Sequence, residues 1–375
     1  MKVQPAKFLR TTLPLDLDTV DAWDDANRYH SVWLPDHMVS FWPDSIWTTE
    51  FTDLAEVSPS PHRYLDAVAV AGAVAVLSRN LPIATCVTDT VRRHPATLAQ
   101  AALSLGHLSR GRFILGLGSG ETENTVPYGF EFSRTVSRFE EALQVIRLLW
   151  DRDGAVDFEG EFFHLHHARL DTEPYGGRLP PIWIGANGPR MLEITGRFAD
   201  GWWPTQVWSP DDFATKLGVV RQSAERAGRD PDSIVPAATM GLLIGEEDEV
   251  AEMVQAPLLK AWLLQIPAAV LHARGYEHPM GDHWGGYHDI DPGVLTRDRI
   301  VEMLARVDTR ALLELFRHGT PKATAQIVKG YCDAGLRVPG IIDYSRMAGQ
   351  AYAVTSATKT REVEDELSRL CGTST

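Results

Sequence analysis

A single (β/α)8 barrel is the fold class this sequence predicts, and three observations lead to it. Short apolar runs alternate with amphipathic stretches about eight times along the chain, the pattern of strands and helices in an α/β protein. Polar or glycine-rich residues follow the apolar runs, and a barrel places its chemistry on that face, at the carboxyl ends of its strands. The rival, a dinucleotide-binding Rossmann domain, fits less well. Gly116, Gly118 and Gly120 are spaced G-x-G-x-G rather than G-x-G-x-x-G, and Glu140 and Glu141, about twenty residues on, fall inside a predicted helix.

A weak strand over residues 7–11 opens the chain, and a helix over 18–29 follows. Residues 31–34 form the second strand, which stops at Pro35-Asp36-His37. An elaborated loop then runs to about residue 63 and carries Phe41, Trp42 and Trp47. A helix over 64–78 precedes the third strand, 83–88, which contains Cys86-Val87 and ends in Thr88-Asp89. Pro95 opens a helix to about residue 108, at a first-turn position where its missing N–H costs nothing. The fourth strand, 112–117, is the apolar run of a buried parallel strand. In the helix 133–150, Phe139, Leu143, Ile146 and Trp150 recur three and four residues apart and form one buried stripe.

Alternation around Glu159-Gly160 predicts a hairpin over 156–163, inside an insertion of about 154–180. The fifth strand, 181–186, closes in Asn187-Gly188-Pro189 before a helix to about 198. A short strand over 200–204, a helix over 211–227 and a longer strand over 234–244 continue the rhythm. Residues 246–318 break it as a second insertion, helical over 249–273, loop-like over 275–292, then helical again. A helix over 322–334, a strand over 338–344 and a closing helix over 362–370 complete one domain spanning 1–375.

The net charge of −14 argues against nucleic acid, because phosphate binding is driven by clustered Lys and Arg that this chain lacks. A small-molecule ligand is expected instead. Cys86, Cys332 and Cys371 are far apart with no CxxC pair, which fits a reducing cytosol. The first ten residues lack the pattern of a signal peptide, and no stretch approaches the ~20 apolar residues of a membrane span. A cytoplasmic location is the expectation. The 11 tryptophans suit aromatic walls around a flat cofactor or an apolar substrate, and equally suit a core.

The stretch from Arg112 to Asn124 concentrates the chemistry. Glycine at 116, 118 and 120 removes side chains that would keep a flat ring or a phosphate off the backbone, and Glu121 and Asn124 emerge there. Taken alone, it reads equally as a cofactor site or as a strand turning through glycine.

Four motifs taken together resemble the luciferase-like family: Asp36-His37 after the second strand, Cys86-Val87 in the third, Arg112-Phe113 through Gly118-Ser119-Gly120-Glu121, and Ile184-Gly185-Ala186-Asn187-Gly188-Pro189 in the fifth. More narrowly they resemble its branch that uses the deazaflavin coenzyme F420. Arg274-Gly275-Tyr276-Glu277-His278-Pro279-Met280-Gly281 and the loop after it look most like the phthiodiolone ketoreductases of that branch.

The resemblance implies that Asp36 binds cofactor and His37 faces substrate. It implies a non-proline cis peptide at Cys86-Val87 against the ring's back face, contacts of Gly120, Glu121 and Asn124 with the ring edge and ribityl chain, and a phosphate met by Ala186, Asn187 and Gly188. A homodimer is expected at family level only. The sugar-phosphate dehydrogenases of the same branch carry a tryptophan where this chain has Phe41, with Trp42 one residue further on. The second insertion offers Tyr276, His278, His283, Trp284, Tyr287 and His288 rather than a basic set, with Tyr276, His278 and Trp284 taken as substrate-pocket candidates. An apolar or lipid-like ketone or secondary alcohol therefore suits the chain better than a sugar phosphate.

His37 is the candidate acid–base group, since imidazole titrates near neutrality and can pass an alcohol proton either way. A lone histidine is more often structural, but a strand-end position beside Asp36 favours catalysis. Glu121 is the second candidate, either catalytic or only an anchor for the ring. His164-x-His166-His167 and the five-residue spacing of His278, His283 and His288 raise a metal site. No carboxylate or cysteine at ligand spacing completes the first group, while the second has Asp282 and Asp289 in its loop and is the better case. The expectation is still no metal, with these residues lining or covering the pocket. Two other readings remain open: an FMN-dependent monooxygenase on the same fold, and a cofactor-free barrel that sequesters a lipid.

Overall fold

The structure, a computed structural model, describes residues 2–24, 28–151 and 154–372. Eight parallel strands make the ring: β1 (Lys7–Phe8), β2 (Val32–Leu34), β3 (Ile83–Thr85), β4 (Phe113–Gly118), β5 (Ile182–Ile184), β6 (Gly201–Trp202), β7 (Val235–Ile244) and β8 (Val338–Asp343). Each pairs with the next, from Lys7 opposite Val32 round to Ala237 opposite Val338. A parallel bridge between Ala6 and Gly340, with the Ala6 N–H donating to Pro339 O at 3.0 Å, closes β8 onto β1. The chain folds as a (β/α)8 barrel.

Side chains fill the lumen. Trp33, Trp183 and Trp203 enter it from β2, β5 and the end of β6, and Ala6, Ala84 and Ala237 leave room for them. Trp183 packs edge-on to Trp33 and Trp203, with ring centres 5.6 and 6.2 Å away. The Trp203 indole N–H donates to Thr239 Oγ1 at 2.7 Å, so a buried polar group is satisfied within the apolar layer. On the outside, Leu34, Leu115 and Ile182 are covered by helices such as Ala67–Leu77, Pro95–Leu108 and Thr135–Trp150. Side-chain caps start several helices: Asp66 accepts from Ala69 N–H at 3.0 Å, and Ser209 from Asp212 N–H at 3.0 Å.

Four expectations need correction. The third strand does not run unbroken to Thr88: it stops at Thr85, the Cys86–Val87 peptide is cis, and Thr88–Asp89 then resumes pairing with Leu117 and Gly118. In the hairpin the strands are Val156–Glu159 and His164–Ala168, because Glu141 accepts the N–H groups of Glu161, Phe162 and Phe163 at 2.7–2.8 Å and holds them as the turn. The last helix begins twelve residues early, at Gln350 rather than 362, since its first half is rich in Ala, Thr and Ser and shows no apolar stripe. The second insertion ends sooner than 318, because Arg317–Gly319 pairs in parallel with Leu242–Ile244. The expected first helix covers Asp18–Trp23, and its continuation over 25–27 lies outside the described residues.

Pro257 and Pro267 divide the helical part of the second insertion into short pieces, Pro257–Ala261 and Ala268–His272. These pieces and Arg297–Arg306 have their own apolar core, with Leu258, Leu263, Leu271 and Ile300 packed against Trp42, Ile46 and Leu54 of the long loop after β2. That layer roofs the carboxyl ends of the strands.

Candidate active site

Between roof and barrel lies a cavity of about 310 Å³, within the size range of small-molecule sites. Its floor and walls come from strand ends: Asp36 and His37 after β2, Cys86 and Val87 after β3, Gly120, Glu121 and Asn124 after β4, and Asn187 after β5. Trp262, Gln265, Tyr287, His288, Phe316 and Tyr344 form the roof. The β4 loop is tied to that roof by Thr122, whose hydroxyl donates to His288 O at 2.7 Å.

The three glycines differ in what they clear. A Cβ on Gly116 would overlap the Thr85 carbonyl oxygen, and one on Gly118 would stand 2.7 Å from Val87 Cγ2. Gly116 therefore makes room for the neighbouring strand and not for a ligand, which corrects the sequence expectation at that position, while Gly118 lets Val87 stand close as a cavity wall. Gly118 and Gly120 both line the cavity, and the φ of +92° at Gly120 is a conformation that glycine adopts without strain.

His37, Glu121 and Asn124 form a triangle. Asn124 is buried, and its Oδ1 accepts the N–H groups of Met38 at 2.7 Å and Val39 at 3.1 Å, which fixes the amide orientation. Its Nδ2 therefore faces Glu121 Oε2 at 3.1 Å and His37 Nδ1 at 3.0 Å, and His37 Nδ1 lies 3.3 Å from Glu121 Oε2. A protonated Nδ1 donates to Glu121, and an unprotonated one accepts from Asn124. Both charge states of the imidazole are satisfied, and Nε2 is left for a ligand.

The electrostatics agree with this geometry. Crowding by protein disfavours charge on His37, but the Glu121 carboxylate outweighs it and raises the histidine above its usual range. Glu121 is likewise pushed up by burial, yet His37, Arg92 and Asn124 together hold it low, as a carboxylate. Glu123, 1% exposed with Oε2 lacking a partner, is raised well above the usual range by burial and by Glu121, so burial and its neighbour both favour its neutral form. Asp36 is buried too, and Arg92 at 3.3 Å and Arg93 at 3.2 Å overcome that burial and keep it ionised.

With the site described, comparison with known proteins is decisive. Residues 27–337 match the sequence profile of the family described as luciferase-like monooxygenase. The chain belongs to the luciferase-like family. Over 319 residues, 84% of each chain, it is 40% identical to the phthiodiolone/phenolphthiodiolone dimycocerosates ketoreductase of Mycobacterium tuberculosis. Over 168 residues it is 36% identical to the F420-dependent glucose-6-phosphate dehydrogenase of Nakamurella multipartita, covering 44% of this chain and 49% of that one. An F420-dependent secondary alcohol dehydrogenase, solved in complex with an F420-acetone adduct, superposes with a TM-score of 0.73 at 20% identity over 98% of this chain and 99% of that one, a likeness of fold.

This luciferase-like barrel gathers only part of the set expected from sequence. Ala186 is buried in the outer core, where its carbonyl accepts from the Trp202 indole at 3.0 Å, and Gly188 is an exposed cap on the helix Pro189–Phe198; neither lines the cavity. Of the substrate-pocket residues, Phe41 lines the cavity and four others stand elsewhere. Trp42 is in the roof core, and the Tyr276 hydroxyl donates to Glu314 Oε1 at 2.6 Å. His278 meets Leu263 O at 3.1 Å, and the Trp284 indole donates to Leu264 O at 2.8 Å, so both fasten the insertion loop. The residues that sequence reasoning missed are Arg92, Gln265, Trp262, Phe316 and Tyr344. Arg92 had a signal, since it follows a strand end directly; the roof residues had none.

Proposed function

We propose that this chain is a coenzyme F420-dependent oxidoreductase that moves a hydride between the deazaflavin and a ketone or secondary alcohol. The observation that carries it is the His37–Glu121–Asn124 triangle at the barrel mouth, a group built to hold a proton in two states. The curated relatives, a ketoreductase and an F420-dependent dehydrogenase, point the same way. The cavity suits a flat ring: Val87 stands as a wall over Gly118 and Gly185, facing the aromatic roof. In this reading Asp36, Cys86, Val87, Gly120, Asn124 and Asn187 hold the cofactor, which when bound supplies the hydride that the protein cannot.

What the chain contributes is the proton. Hydride arriving at a carbonyl carbon leaves charge on oxygen, and His37 Nε2–H neutralises it while Nδ1–H stays with Glu121. In alcohol oxidation the same nitrogen takes the proton. The apolar roof suits an apolar or lipid-like substrate, and the same reading makes the enzyme a cytoplasmic homodimer; among the described residues no helix is long and apolar enough to cross a membrane.

Titration of the purified protein with coenzyme F420 and with FMN tests the proposal. Saturable binding of coenzyme F420 well below the FMN concentration needed is expected. Preference for FMN together with oxygen consumption by reduced FMN would sink it. A pH profile gives a second check. His37 is raised, so it stays protonated past the ~6.5 of a free imidazole, and kcat/KM for ketone reduction should fall with rising pH only beyond that point. In Glu121→Gln that fall should move to lower pH, and a limb unmoved by the substitution would count against His37 as the acid.

A further inference from the structure

Strands β1 and β8 are neighbours joined at Ala6 and Gly340, so Arg10 and Arg346, just past their carboxyl ends, arrive on one side of the mouth. The segment after β1 is pinned in place: Leu13 N–H donates to Arg63 O at 2.9 Å, Leu65 N–H to Thr11 O at 2.7 Å, and Thr12 bridges to Tyr64. The Tyr64 ring in turn lies 5.4 Å from the ring of His37. Tyr64 thus links His37, at the cavity, to Arg10 and Arg346, both of which are near enough to feel its hydroxyl.

Neither guanidinium has a hydrogen bond or an ion pair among the described residues, in a chain that carries 50 carboxylates. Asp343, the acid nearest Arg346 in the sequence, is 4% exposed; its Oδ1 accepts from the Ser345 N–H at 2.9 Å, its Oδ2 has no partner, and its charge attracts Arg346 without forming an ion pair. Arg10 is exposed and Arg346 half-buried, so both are open to a ligand. Burial lowers the proton affinity of Arg346 to about 10, with Arg10 adding repulsion. Two guanidiniums near enough to repel, neither with a hydrogen-bond partner among the described residues, match the planar oxygens of a carboxylate or phosphate, which would relieve their repulsion.

We propose that Arg10 and Arg346 bind an anionic end of the substrate, a carboxylate or phosphate group several carbons from the carbon that exchanges hydride near His37. This rests on the reading that the mouth holds a ketone or alcohol, and it makes that molecule amphipathic, its apolar body under Trp262, Ile266 and Phe316. The cofactor's phosphate does not compete for the pair, because its expected place beside Asn187 follows β5, on the far side of the ring from β1 and β8.

Octanoate and octanamide, matched in length, separate charge from apolar fit when titrated by calorimetry against the full chain. Octanoate should bind about tenfold tighter, an advantage that weakens with added salt. The double substitution Arg10→Gln with Arg346→Gln should erase that advantage and leave octanamide unchanged. Equal binding of the two ligands, or full octanoate binding by the variant, overturns the proposal. Should Arg346→Gln impair folding, the single Arg10→Gln on the exposed partner gives the same readout. Coenzyme F420 is titrated separately: unchanged affinity in the variant supports the assignment, and a parallel loss overturns it by giving the pair to the cofactor. Absence of coenzyme F420 binding by the unsubstituted protein would instead refute the function proposed above, while the octanoate comparison still decides the anion site.

Discussion

Substitution of His37 by alanine is expected to lower kcat for ketone reduction by about 10²- to 10⁴-fold, roughly 3–5 kcal/mol of barrier, with coenzyme F420 binding nearly unchanged. The magnitude is that of one general acid, because the hydride donor and the binding walls stay in place. The separation of the two effects follows from geometry: His37 meets Glu121 and Asn124 through Nδ1 and offers only Nε2 to the reacting oxygen. Single-turnover kinetics together with a fluorescence titration of the cofactor measures both quantities. Added imidazole should restore part of the rate to the alanine variant, since the vacated space still borders Glu121. A loss of cofactor affinity comparable with the loss of rate would show that His37 holds the ring instead.

The barrel was legible because its strands are local events. Val32–Leu34, Phe113–Gly118 and Ile182–Ile184 are apolar runs that stop at polar or glycine residues, and a parallel strand buried on both faces needs no partner information to be recognised. His37, Glu121 and Asn124 were legible for the same reason, since each sits within a few residues of a strand end. The roof was not. Tyr287 and His288 line the cavity while Tyr276, His278 and Trp284 from the same loop do not, although all five have the same aromatic character. What sorts them is the course of the chain, fixed by contacts such as Trp284 to Leu264 O, which join residues twenty apart. Glu123 illustrates the other limit. A glutamate two residues from another reads as solvated charge, because acidic side chains are rarely buried, and only packing reveals that it lies inside against Glu121 with its proton held more tightly than usual.

Gly116→Ala is expected to cost about 3–5 kcal/mol of stability, from one to three for overpacking and about one for each of two hydrogen bonds disturbed. The added methyl would overlap the Thr85 carbonyl oxygen and stand 3.0 Å from its carbon, and neither can yield as a side-chain tip would. Thr85 Oγ1 also donates to Gly116 O at 2.8 Å and accepts the Gly116 N–H at 3.0 Å, so separating the strands strains both bonds. A loss of this size is a large part of the ~5–15 kcal/mol that holds a typical domain together. Gly72→Ala, in the helix Ala67–Leu77 where a Cβ would meet nothing within 4 Å, should instead stabilise by roughly 0.5–1 kcal/mol and serves as the control. Urea midpoints of the two variants decide the matter. If Gly116→Ala unfolds at the same midpoint as the unsubstituted protein, then β3 and β4 are not packed as closely as described, and the wall that Val87 presents to the cavity would have to be redrawn.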